Sequence, residues 1–140
     1  MVKFEVFDHT ADVGIRAYGE DVNRAFENAA IWMFSLIADM DSVRPVGEYR
    51  IQCEAPDLKL LLVNWLSELL FLHSTFFVVF SSFSANIRKI GEKWQMEGFA
   101  KGEKIDSGRH QIHTEIKAVT HHLLEVVTNK DCKIQVLFDI

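Results

Sequence analysis

The chain has too few cysteines to be a disulfide scaffold. It holds two in 140 residues. Cys53 and Cys132 lie far apart and outside any CxxC or Cys/His zinc spacing, as expected of free, buried thiols in a reducing compartment. There is also no Pro/Gly/Ser-rich linker, no block of like charge and no internal repeat. One domain spanning residues 1–140 is expected, and a chain of this length can bury a core without covalent staples. The N-terminal stretch MVKFEVFDHTAD lacks the basic head, apolar run and small-residue cleavage site of a secretory signal. Uninterrupted apolar length is missing too. Asn64, Ser67 and Glu68 break the stretch from Leu58 to Phe80, and His73, Ser74 and Thr75 break it again. No part of it reaches the roughly eighteen apolar residues of a spanning helix. These absences lead us to expect a cytoplasmic protein that makes no use of a membrane.

Positive charge is in short supply as well. The formal net charge is −5, which argues against a domain that works by clamping a phosphate backbone. The short basic stretch of Arg88, Lys89 and Lys93 reads as a solvated loop. No Gly-rich phosphate loop, GxGxxG, GxSxG or HExxH motif occurs. His121 and His122 would point to opposite faces of a strand. His110 and His113 read as two unrelated surface histidines in a loop beside Gly108. With no nucleophile–base pair in view, the balance shifts from an enzyme toward a binding or accessory role.

What remains is a pattern of two amphipathic helices and several strands. Residues 3–8 and 13–18 read as strands joined by a turn at His9 to Asp12, with Gly19 ending the second. From Asp21 the period changes. Val22, Ala25, Phe26, Ala29, Met33, Leu36 and Ile37 share one helical face, with Glu20 and Asp21 at the start and Asp39 to Ser42 as the stop. Residues 48–54 form a strand. Asp57 then caps a second helix whose core face is Leu58, Leu62, Trp65, Leu66 and Leu69. Residues 76–90, 94–100 and 133–138 read as strands. Residues 112–127 fit either state and are assigned to strand for their β-branched content. The fold class is α+β, with two helices packed on antiparallel or mixed sheet in a single compact domain.

Three polar segments are not required by packing. Asp8 to Gly14 has the composition of a turn stabilised by Asp and Thr side chains. In Thr114 to Thr120, read as a strand, Glu115 and Lys117 would share a face with Thr120 opposite. At the end of the sequence, Asp139 and the main-chain carboxylate of Ile140 place two negative groups within one residue. With a third carboxylate they would make an all-oxygen site for Mg²⁺, Ca²⁺ or Mn²⁺.

The blocks HTADVGIRAYG, AFENAAIWMF, LLVNWLSELL, TEIKAVTHHLLEV and FDI occur in that order. Together they resemble the archease family over essentially the whole chain. The resemblance implies a non-enzymatic accessory protein for the RtcB-type RNA ligase of tRNA splicing and RNA repair. That ligase is charged with GMP on a histidine, and the accessory protein promotes this guanylylation and sustains turnover. The resemblance further implies a divalent-metal site at Asp12, Asp139 and Ile140, and cooperation with the ligase through Lys117, with Glu115 and His9. RNA would be met only through the ligase. Where the family commonly has tyrosine after KAVT, this chain has His121. Another role proposed for the family is that of a general chaperone or modulator of RNA-modifying enzymes, working through an exposed apolar surface; Phe76 to Phe83 is the candidate. A stand-alone metal-dependent hydrolase would need a poised general base, and no residue here resembles one.

Overall fold

The computed structural model describes residues 4–9 and 12–140, with backbone alone for residues 4, 5 and 7–9. The strands are β1 (Phe4–His9), β2 (Asp12–Gly19), β3 (Gly47–Ala55), β4 (Val78–Ile90), β5 (Lys93–Lys104), β6 (Ala118–Val119), β7 (Glu125–Thr128) and β8 (Cys132–Asp139). The helices are α1 (Val22–Ile37) and α2 (Leu58–Phe76), and a 3₁₀ turn covers Met40–Ser42. A five-stranded sheet runs β1-β2-β8-β6, with β7 also pairing β8, and a three-stranded sheet runs β3-β5-β4. Every strand pair is antiparallel. The fold is α+β, as the pattern of elements predicts.

Both helices start where the sequence places an aspartate. The Asp21 carboxylate accepts the Arg24 amide at 2.8 Å, and Asp57 accepts the Leu60 amide at 2.8 Å. Each cap satisfies an amide that the first helical turn would otherwise leave without a partner. Helix α1 buries Ala25, Phe26, Ala29, Ala30, Met33, Phe34 and Ile37. Helix α2 buries Leu61, Leu62, Val63, Trp65, Leu66, Leu69 and Leu70. Each helix touches strands of both sheets, so the pair forms a middle layer and the core fills both sides of it.

The three-stranded sheet is tied to this layer in two ways. The fully buried Trp65 donates its indole N–H to Phe26 O at 3.0 Å. Its ring lies against Gly98 of β5, where an added Cβ would come within 2.6 Å of ring carbon. At the outer edge of β4, Asn23 accepts the Ile87 amide at 2.8 Å and Glu27 accepts the Ala85 amide at 2.9 Å. Two side chains one turn apart on α1 therefore take the place of a neighbouring strand.

Four expectations change. Helix α2 runs on through Phe76, and Phe77 takes a left-handed conformation (φ 55°) before β4 begins at Val78. Residues 112–127 are mostly irregular and contribute only β6 and the start of β7. Ile116 and Leu124 are buried while the chain crosses between layers, so neither a helical nor a strand period applies. Arg88, Lys89 and Lys93 belong to β4 and β5 and not to a loop, and Lys89 lies 5.6 Å from the Trp94 ring. Lastly, Phe76 to Phe83 is not one exposed surface, because Val78, Val79 and Phe80 are core while Phe76 and Phe77 are exposed. Among the described residues no helix is long and apolar enough to cross a membrane.

Candidate functional site

The register of β2 on β8 runs Asp12 to Asp139, Val13 to Phe138, Gly14 to Leu137. Val13 and Phe138 are buried in the core. Side chains alternate along a strand, so Asp12 and Asp139 project together from the other face, away from the helices. They are both partly exposed. Two like charges directly opposite one another oppose pairing. Among the described residues no Lys, Arg or His lies within ion-pair distance of either carboxylate.

A third segment closes on the same place. The Lys117 amide donates to Asp139 O at 2.7 Å, and Ala118 of β6 sits across from Asp139. The Thr120 amide and hydroxyl both donate to Leu137 O, at 2.9 and 3.0 Å. Buried Ile116 anchors the segment, while Glu115 and Lys117 are exposed on either side of it. Since residues 114–117 are not strand, these two share no strand face; the buried isoleucine between them turns both outward. Ile140 is exposed, one residue beyond Asp139.

The structure thus brings Asp12, Asp139, Ile140 and the backbone of Lys117 to one end of the five-stranded sheet. His9 faces Asp12 across the β1–β2 pairing, but its side chain, with Thr10 and Ala11 of the intervening turn, lies outside the described residues. Among the described residues no three His, Cys, Asp or Glu side chains gather closely enough to hold an ion. Among the described residues two side-chain carboxylates are available here, with main-chain oxygens beside them. The donors are all oxygen, which suits a hard divalent cation. The thiols do not compete. Burial, with Glu68 near Cys53 and Asp21 near Cys132, pushes both up to about 11, so they stay protonated at neutral pH.

A second polar cluster was not foreseen. His110 is 4% exposed, the one buried polar residue among those described. Its Nδ1 accepts the Asp106 amide at 2.9 Å, which leaves Nε2 to donate to Glu103 Oε2 at 3.2 Å. Arg109 binds the two Glu103 oxygens through two guanidinium nitrogens, at 2.6 and 2.8 Å, and Glu103 also accepts the Arg44 amide at 2.6 Å. The Arg109 and Arg44 donors hold the Glu103 carboxyl well below the usual range. The cluster fixes the crossover that leads to Lys117. Its only signal in the sequence was a histidine in a polar stretch, which reads as surface.

The model of the archease protein family matches residues 4–140. The chain belongs to the archease family. It is 40% identical to the protein archease of Methanothermobacter thermautotrophicus over the full length of both. To the protein archease of Methanosarcina mazei it is 44% identical, over 99% of this chain and 96% of that one. The solution structure of Methanobacterium thermoautotrophicum protein 1598 superposes with a TM-score of 0.89 at 40% identity, covering 99% of each chain. Motif blocks and fold thus agree on the archease family.

Proposed function

We propose that this archease-family chain is a cytoplasmic, metal-binding accessory factor that promotes guanylylation and turnover of an RtcB-type RNA ligase in tRNA splicing and RNA repair. The observation that supports it is the direct opposition of Asp12 and Asp139 with no cationic side chain beside them among the described residues. Such a pair weakens the sheet unless something positive is bound. Asp12, Asp139 and the main-chain carboxylate at Ile140 would hold Ca²⁺, Mg²⁺ or Mn²⁺. A divalent ion bound there supplies positive charge for nucleotide phosphate oxygens.

The chain's own residues supply position. Antiparallel pairing fixes both aspartates on strands and not on mobile loops, and the Lys117 amide fixes the carbonyl of Asp139. Lys117, with Glu115 and His9, borders the place where the ligase's nucleotide site would approach. Positioning and charge stabilisation are the main resources of phosphoryl and nucleotidyl transfer, so a helper can act without a catalytic base of its own. RNA is met through the ligase.

Single-turnover guanylylation of the cognate ligase, with and without this protein, tests the reading. Wild type should accelerate the step. Asp12→Ala should not, although its fold is intact by thermal melt. Lys117→Glu should weaken cooperation while leaving ion affinity nearly unchanged. Full activation by Asp12→Ala would remove the metal site from the mechanism. Exposed Phe76 and Phe77 favour a second reading, a general chaperone of RNA-modifying enzymes. That reading predicts suppressed aggregation of unrelated proteins, independent of Asp12.

A further inference from the structure

We propose that the groove between α2 and residues 115–119 receives an extended, apolar segment of the partner protein, which adds a strand to the open edge of β6. This rests on the reading of the chain as a ligase accessory, so the partner is the ligase. Among the described residues β6 is outermost in its sheet and pairs β8 on one side only. The Thr120 amide bonds Leu137 O, which makes Thr120–Leu137 a hydrogen-bonded pair. Its neighbour Val119 therefore turns its N–H and C=O outward, away from β8. An exposed edge of this kind is a template for another strand. The contrast is β4, whose outward amides are already held by Asn23 and Glu27.

Beside this edge lies a cavity of about 510 Å³, where Leu70, Phe71, Ile116 and Val119 supply apolar walls and Ser67 and Ser74 supply hydroxyls. A second cavity of the same volume shares Ser67 and Phe71 and reaches Cys53 and Glu54 on β3. The groove thus follows the solvent side of α2 from the open edge of β6 to the edge of β3, where Asn64 donates to Glu54 O at 3.3 Å. Phe71 is 52% exposed, and Phe76, 45% exposed, meets it edge-on at 6.5 Å. Phe77, 65% exposed, holds a left-handed backbone that favours glycine, a cost for a bulky side chain that core packing does not repay.

The occupant follows from these groups. An outward main-chain edge asks for another main chain in extended form, and the apolar walls ask for an apolar side chain at alternate positions. A nucleic acid would find little there, because the one cation among the described lining residues, Lys117, shares its cavity with Glu115, and the adjoining cavity adds Glu54 and Glu68.

Hydrogen exchange on the complex with the cognate RtcB-type ligase provides the test. Exchange at the Val119 amide should slow at least tenfold on binding. Phe71→Ser should weaken the complex at least tenfold with divalent-ion affinity unchanged, and Phe71→Leu should restore most of it. A complex that forms with Val119 unprotected and tolerates Phe71→Ser overturns the groove and leaves the accessory reading standing. Absence of any complex overturns both.

Discussion

Lys101 and Glu48 sit directly across from one another on the three-stranded sheet, with Nζ 3.8 Å from Oε2. Asp12 and Asp139 sit directly across from one another on the five-stranded sheet. The geometry of pairing is the same and the sign of the interaction is opposite. The first pair, like the Arg50–Glu97 and Lys93–Glu54 pairs on the same sheet, is complete within the chain. It is worth at most about 1 kcal/mol, as exposed ion pairs are. The second works against the fold that creates it. Among the described residues nothing neutralises this second pair, and in the function proposed above a bound cation does so.

The comparison is broken most decisively by adding the ion. At a hundredfold excess over its dissociation constant, a divalent ion should stabilise wild type by about 2.7 kcal/mol. Asp139→Asn should lose most of that gain, and so should a C-terminal extension past Ile140, whereas an N-terminal tag should not. Melts with and without Mn²⁺, Mg²⁺ and Ca²⁺, paired with calorimetric titration, measure it. Equal affinities across these proteins would end the metal reading.

A charge that is satisfied from within should behave in the reverse way. The Glu103 carboxyl lies below its ordinary value of 4.5. Its contribution is therefore fully present above that pH and disappears as pH falls through the lower, folded value. Glu103→Gln should be clearly less stable than wild type at pH 7, and the gap should narrow as pH drops below about 4.5. Chemical denaturation over a pH series gives the answer, and a gap constant with pH would contradict the network.

A smaller effect sharpens the contrast. In a chelator, Asp12→Asn should stabilise the domain by about 0.5 kcal/mol, the scale of one unfavourable cross-strand pair. In saturating ion the order should reverse. The smallest change is expected on the other sheet. Lys101→Met should shift stability by no more than about 0.5 kcal/mol, with or without divalent ions. An ion-dependent shift there would mean that the two sheets are not as different as their charges suggest.

Local chemistry was legible and distant chemistry was not. Asp21 and Asp57 announced their helices because a cap and the turn it serves are neighbours in sequence. The faces of α1 and α2 followed from their period. The end of α2 was misplaced because no glycine marks it; the apolar run continues and Phe77 makes the turn instead. His110 was misread because its partners, Glu103 and Ser42, arrive from β5 and the 3₁₀ turn. The aspartates of the candidate site carry no spacing that links them. The family's ordered motifs named them, and the β2–β8 register gives the link a physical form.

The two side chains of α1 that hold the edge of β4 have a consequence for self-association. A sheet propagates between molecules only if each copy offers two free edges, one to receive and one to pass on. In the three-stranded sheet one of them is consumed by Asn23 and Glu27. Two copies meeting through β3 would find the far edge of that sheet already taken. Replacing Glu27 by alanine would strip the Ala85 amide of its acceptor and reopen part of that edge, so the α1 carboxylate helps keep this sheet from passing its pairing on to another molecule.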